Sequence, residues 1–276
     1  MQEIEIKLQI PTLFKQQLIE DIQQKSPKNI HLHAKYFDTA QSELAQHYMA
    51  IRMRKENDIW MQTFKAAHSH VQRYELDLAR SDNATLDLSL YEQHPEVLTR
   101  LKNIDLSTLD LEFETIIDRT LLDLTFNDSQ IEFCLDQGHI KTTKQQQAIC
   151  EVEFELKKGQ VQDLINIVKQ WVKKYHLWVD VRSKAERGHL LSKQQTVSPA
   201  HNNTQDALQA LLTYTSAIAG EVAQQLHIQY AKDAACTLYD QYQIPLLNTF
   251  VQTDQPIELA QSPAFNLMLL DLLERH

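Results

Sequence analysis

Apolar and polar residues alternate with period two over residues 2–10, 49–54, 59–66, 71–79, 113–126, 130–136 and 147–157, the pattern of half-buried strands. Residues 12–25, 90–101 and 159–176 instead repeat their apolar positions every three or four residues, which predicts helices, and a further strand is expected near 177–184. Strands dominate this part of the chain. Beyond residue 200 the period becomes helical: Leu208, Leu211, Leu212, Ile218, Val222 and Leu226 keep helix spacing. Ser262-Pro263 supplies an N-cap and first-turn pair before the apolar run Phe265–Leu270. Between the two parts lies the polar stretch Ser192–Thr204, which contains Pro199 and reads as a linker, so the expected domains are residues 1–198 and 199–276.

The predicted strands concentrate charge on one face. Side chains two apart point the same way, so the first strand sets Glu3, Glu5 and Lys7 against Ile4, Ile6 and Leu8. The pattern recurs with Arg52 and Arg54, with Arg73, Glu75 and Asp77, and with Glu151, Glu153, Glu155 and Lys157. Singly, each is an ordinary amphipathic strand facing water. Together they are costly, because Glu151, Glu153 and Glu155 repel one another, as do Arg52 and Arg54, unless counter-charges lie between them. A sheet that closes with these faces inward has a cavity lined by acids and bases and an apolar outside covered by helices, the reverse of a small barrel packed with apolar side chains. Such a cavity suits an anionic ligand held by Arg and Lys, with divalent metal on the carboxylates.

Composition narrows the classes. The 276 residues are 43% hydrophobic and 23% charged, with no apolar run long enough for a membrane helix, so no membrane partner is expected. No basic and apolar leader opens the chain, and the expected compartment is cytoplasmic. Four glycines form neither a P-loop nor a Rossmann turn. Cys134, Cys150 and Cys236 make no C-x-x-C pair and read as buried free thiols. The net charge of −10 argues against a nucleic-acid surface, and residues 200–276 hold only Lys232 and Arg275 as basic groups. The histidines, among them His31, His33, His68 and His70, lack metal-ligand spacing.

An ordered series of motifs resembles the CYTH superfamily, the triphosphate tunnel metalloenzymes. Glu3-x-Glu5-x-Lys7 is similar to the hallmark E-x-E-x-K of that family. It is followed by Tyr36-Phe-Asp-Thr39, Arg52-x-Arg54, Trp60-x-x-Thr63-x-Lys65, Arg73-x-Glu75, Arg119, Asp136-x-Gly138, Glu151-x-Glu153-x-Glu155 and Ser183-Lys184-x-x-Arg187-Gly188, covering roughly residues 1–192. The resemblance implies an α+β fold: an antiparallel closed β-barrel of about eight strands forming a triphosphate tunnel, with flanking helices, followed here by an all-helical C-terminal extension. It implies a phosphoanhydride hydrolase with a two-metal site for Mg²⁺ or Mn²⁺. Lys7, Arg52, Arg54, Lys65, Arg73, Arg119 and Lys184 would bind substrate; Glu3, Glu5, Asp136, Glu151 and Glu153 would hold metal. Glu153, ahead of Glu5, is the expected base for the attacking water, with Lys7 beside it as a third catalytic group.

Residue by residue, simpler readings compete. Asp136, two positions before Gly138, also suits a turn; Lys184, where the strand near 177–184 ends, also suits the surface. Arg73, Glu75 and Glu155 also suit supporting ion pairs, and Arg182 and Arg187 are unassigned. Among family activities, a CYTH domain followed by helices is most similar to bacterial inorganic triphosphatases with a CHAD domain, so inorganic triphosphate is the expected substrate. Class IV adenylate cyclase, thiamine triphosphatase and a non-catalytic polyphosphate- or nucleotide-binding module are the alternatives. The extension resembles a short or truncated CHAD region, and its acidity argues against polyphosphate binding there. Leu208, Leu212, Leu267, Met268 and Leu270 need burial, against their own barrel or in a homodimer.

Overall fold

A computed structural model describes residues 2–56, 58–67, 72–80, 85–195 and 206–275, with the side chains of residues 2, 3, 67, 72 and 73 outside that description. The strands are β1 (Gln2–Gln9), β2 (Lys28–Asp38), β3 (Met49–Glu56), β4 (Ile59–Ala67), β5 (Gln72–Arg80), β6 (Asp110–Phe126), β7 (Ser129–Lys141), β8 (Gln146–Lys158) and β9 (Trp178–Val179). The helices are α1 (Thr12–Gln23), α2 (Glu43–Gln46), α3 (Pro95–Leu101), α4 (Val161–Tyr175), α5 (Lys184–Lys193), α6 (Ala207–Ala219), α7 (Gln225–Tyr242), α8 (Pro245–Gln252), α9 (Pro256–Gln261) and α10 (Pro263–Leu273).

Among the described residues the strands form one antiparallel sheet in the order β5-β4-β3-β2-β6-β7-β8-β1-β9. β1 pairs in addition with β5, placing Gln2 opposite Tyr74, Glu3 opposite Arg73 and Ile4 opposite Gln72. The fold is α+β, with helices flanking the sheet and a helical C-terminal part. No helix among the described residues is long and apolar enough to cross a membrane.

Register explains the buried charge. Cross-strand partners point to the same side. Lys7 faces Glu153, Asp136 faces Glu151 and Arg119, and Arg52 faces Tyr36 and Thr63. The charged faces of separate strands therefore merge into one ionic face. The opposite faces are apolar and covered. Leu8, Phe133, Val152 and Phe154 are fully buried with Leu164, Val168 and Val172 of α4, and Trp171 stacks 4.7 Å from Phe133. Ile51 and Phe64 are covered by residues 88–109, including Tyr91 and Val97.

Helices α6–α10 share the α4 core rather than forming their own. Leu208, Leu211, Leu212, Leu247, Phe250, Phe265 and Leu270 belong to the same buried cluster as β1, β7 and β8. The apolar positions of the extension thus find burial within their own chain. Lys169 of α4 adds ion pairs to Asp271 and Glu274. The expected boundary at 198 falls outside the described residues, as do His68 and His70.

Three expectations change. Residues 28–38, unassigned by periodicity, form β2; Ile30, Leu32, Ala34 and Tyr36 do alternate with His31, His33 and Lys35, but histidines and a small alanine blunt the contrast. The strand near 177–184 shrinks to Trp178–Val179, and Lys184 opens α5 instead of ending a strand. Of the three thiols, Cys134 is buried but Cys236 is exposed.

Candidate active site

The site begins with a local helix start. Ser183 caps α5 by accepting a hydrogen bond from the Glu186 N–H at 3.0 Å. Gly188 lets the helix lie close against β6, since a Cβ there would sit 2.1 Å from the Phe113 ring. This close seat turns Lys184 and Arg187 toward the ionic face. The spacing Ser183-x-x-Glu186 is a capping signature that marks the helix and its two basic residues in the sequence.

Lys184 joins three carboxylates: its Nζ lies 2.7 Å from Asp136, 2.6 Å from Glu151 and 2.7 Å from Glu153. Arg119 grips Asp136 with two bonds of 2.6 Å and reaches Glu153 at 2.8 Å. Arg187 donates to Glu151 at 2.6 Å. Asp136 and Glu151 are wholly buried, so Asp136 is a mid-strand residue and not a turn residue, and the Lys184 side chain, 12% exposed, is turned inward. Burial pushes the Glu153 carboxyl up, but Lys184, Arg119 and Lys7 outweigh it and hold it well below the usual range. Asp136 is lowered in the same way, its burial being outweighed by Lys184 and Arg119. Lys184 is itself raised well above an ordinary lysine: burial opposes its charge and the three carboxylates overcome that.

A second group is cationic. Glu75 bridges Arg52 at 3.2 Å and Lys65 at 2.6 Å. Among the described residues Arg54 pairs with Glu56, at 3.4 Å, and its pKa is lowered first by the charge of Arg52 and then by burial. The Nε atoms of Arg52 and Arg54 are buried and take no hydrogen-bond partner among the described residues. Burial opposes the Arg52 charge but Tyr36 and Glu75 outweigh it and raise its pKa, so it is Arg54 whose charge is disfavoured, and the two Nε donors can take an anion.

The remaining expected residues divide. Lys7 lies on the same face and donates to the Arg182 carbonyl oxygen. Glu5 is opposite Glu155, apart from the Asp136–Glu151–Glu153 cluster. Glu155 pairs with Lys157 at 2.7 Å and is raised by burial and, after the opposing effect of Lys157, by Glu132 and Glu5. The side chains of Glu3 and Arg73 lie outside the description, although their backbones pair. Arg187, Arg182, Asp180 and Gln9, which had no assigned role, are all tied to the cluster: Gln9 donates to both Glu151 and Asp180 at 3.0 Å.

The donors fit a divalent ion. One oxygen from each of Asp136, Glu151 and Glu153 lies within 4.8 Å of the others, and Glu151 Oε1 is buried with no aligned hydrogen bond among the described residues, its neighbour being the Lys184 ammonium at 2.6 Å. Hard cations such as Mg²⁺ and Mn²⁺ take oxygen ligands of this kind.

The same sheet face thus carries a carboxylate cluster and two buried arginines whose Nε donors take no partner among the described residues. Residues 1–189 match the family model of the CYTH domain, and the chain belongs to that family. It is 31% identical over 218 residues to an inorganic triphosphatase of Haemophilus influenzae, an alignment covering 75% of this chain and 60% of that protein. The chain thus spans less than two thirds of that relative. Its fold is similar to a candidate adenylate cyclase of Bacillus halodurans, at 20% identity and a TM-score of 0.47, covering 63% of this chain and 89% of the other. A Hippeastrum protein described as having a dominant triphosphatase activity is 15% identical with a TM-score of 0.46, covering 72% of this chain and 98% of the other.

Proposed function

We propose that this chain is a metal-dependent inorganic triphosphatase, cleaving triphosphate to diphosphate and phosphate. The observation that carries the reading is the pair of buried Nε donors on Arg52 and Arg54 that take no acceptor among the described residues, on the ionic face that also carries carboxylates suited to Mg²⁺ or Mn²⁺. The family and the Haemophilus relative support it. The β1–β5 pairing supports closure of β1–β8 into a barrel whose ionic face is the triphosphate tunnel. We place the enzyme in the cytoplasm.

In this reading Arg52, Arg54, Lys65, Arg73 and Lys7 bind phosphate oxygens, the arginines by paired donors. Asp136, Glu151 and Glu153 would hold one divalent ion, with Glu3 and Glu5 as the further ligands of a two-metal site. Such ions, when bound, would offset charge developing on phosphate oxygens and lower the pKa of an attacking water. Incoming phosphate competes for Arg119 and Lys184, and as those cations turn to substrate a Glu153 oxygen is freed to accept the proton of the attacking water. Glu153 accepts a proton only after that exchange; Glu5 is the other nominee.

The test is phosphate release from inorganic triphosphate, thiamine triphosphate and ATP side by side, with Mg²⁺, Mn²⁺ or EDTA, together with an assay for cyclic AMP. Metal-dependent release mainly from inorganic triphosphate is expected. Cyclic AMP formation would make the chain a cyclase, and calorimetric binding of triphosphate without turnover would make it a binding module.

A further inference from the structure

The helical extension reaches the site through residues 178–183. Val179 pairs with Leu8 of β1, and the Asp180 N–H donates to the Lys7 carbonyl at 3.1 Å, while the Lys7 ammonium donates back to the Arg182 carbonyl. Asp180, fully buried, chelates the Arg182 guanidinium at 2.8 and 2.9 Å and accepts from Gln9, whose amide also donates to Glu151. One residue further, Ser183 starts the helix that carries Lys184 and Arg187.

Helices α6 and α10 hold this segment from behind. Asn266 accepts the Val179 N–H at 2.8 Å, and its own amide is fixed on the Ala260 and Ser262 carbonyls at 2.9 and 2.8 Å. Ser216 accepts the Val181 N–H at 3.1 Å while donating to Leu212 at 2.7 Å. Gly220, at the end of α6, has an ordinary backbone, yet a Cβ there would lie 2.4 Å from Arg182 Nη2. A side chain there would have to displace the guanidinium that Asp180 holds and press on the Ser216 carbonyl oxygen, 3.1 Å away. Each of these contacts falls on residues 179–182, the segment that hydrogen-bonds Lys7 and leads into α5.

We propose that Ser216, Gly220 and Asn266 are positioning residues: the extension sets residues 179–182 and, through them, the placement of Lys7, Lys184 and Arg187 for the anion. The proposal builds on the triphosphatase reading and adds a role for the acidic helical part. Its prediction concerns substrate capture, because the groups it aligns are cations.

The test uses the intact chain with inorganic triphosphate and Mn²⁺. Gly220→Val and Ser216→Ala should each raise KM about tenfold, with a smaller effect on kcat, since displacements on the order of 1 Å have large kinetic effects. In an Arg182→Ala background, where the guanidinium that valine would strike is gone, Gly220→Val should raise KM far less than it does in the wild type, the Ser216 carbonyl oxygen at 3.1 Å being the other close neighbour within the described residues. Leu247→Ala, in α8, reports general loosening of the extension; it should lower Tm and leave KM at the wild-type value. An active wild type whose KM ignores Gly220→Val and Ser216→Ala overturns the proposal and spares the triphosphatase reading. A KM that rises in Leu247→Ala in step with its lost Tm also overturns it. A wild type that neither cleaves nor binds triphosphate overturns the functional reading, and the positioning role with it.

Discussion

Arg119 closes on Asp136 through two parallel hydrogen bonds of 2.6 Å, a fork in which both carboxylate oxygens are used. The same guanidinium reaches Glu153, so one side chain sets the spacing of two proposed metal ligands. Lysine keeps the charge but cannot make the fork. Arg119→Lys should therefore reduce kcat/KM for triphosphate by about tenfold or more with an unchanged circular dichroism spectrum. Near-wild-type kinetics would show that charge alone suffices there.

Lys184 occupies the centre of the carboxylate cluster and competes with any cation for the same oxygens. In Lys184→Met the three carboxylates lose their shared counter-charge and keep only Arg119 and Arg187, so a proton or a divalent ion is favoured in its place. Calorimetry without substrate should then show Mn²⁺ binding tighter by about tenfold, while turnover falls. Unchanged Mn²⁺ affinity would remove Asp136, Glu151 and Glu153 from the ligand set.

Much of this arrangement is legible in the sequence because strand periodicity is a local property. Lys7, Arg52, Arg54 and Glu153 each sit in a run whose alternation assigns a face, and register then makes those faces coincide. Asp180, Arg182 and Arg187 escaped assignment for a different reason. They lie around a two-residue strand and a helix start, where no period exists, and their partners Gln9 and Glu151 are distant in sequence. Ser183 and Glu186 carried a readable capping signal. Nothing local announces that Ser216, Gly220 and Asn266 meet that segment, since such contacts arise only once α6 and α10 pack on the shared core.

Asp180 gives a pH prediction with a definite sign. Burial pushes its carboxyl up, but the Arg182 charge and hydrogen bonds, with Lys7 and Arg187, hold it below its ordinary value of 3.8. A carboxyl lowered in the folded state stabilises above its unfolded pKa, and that contribution is lost as pH falls through the folded value. Asp180→Asn leaves Arg182 buried without its anion and should cost about 3 kcal/mol at neutral pH. Urea unfolding should show the gap between variant and wild type narrowing below about pH 4, as the wild-type carboxylate takes up its proton. A gap independent of pH would mean that Asp180 acts through shape alone.

Arg54 is the place where binding and stability should part company. It is buried beside Arg52, its charge is disfavoured first by that neighbour, and its Nε has no acceptor among the described residues. Such a group costs the free protein stability, and an anion spanning both guanidinium groups recovers it. Arg54→Met fills similar volume without the charge. In the absence of ligand its Tm should rise by about 2 °C or more. Added triphosphate should raise the wild-type Tm and leave that of the variant nearly unmoved, with KM increased about tenfold or more. A variant less stable than wild type and equally stabilised by triphosphate would place the anion elsewhere on the ionic face, away from the Arg52–Arg54 pair.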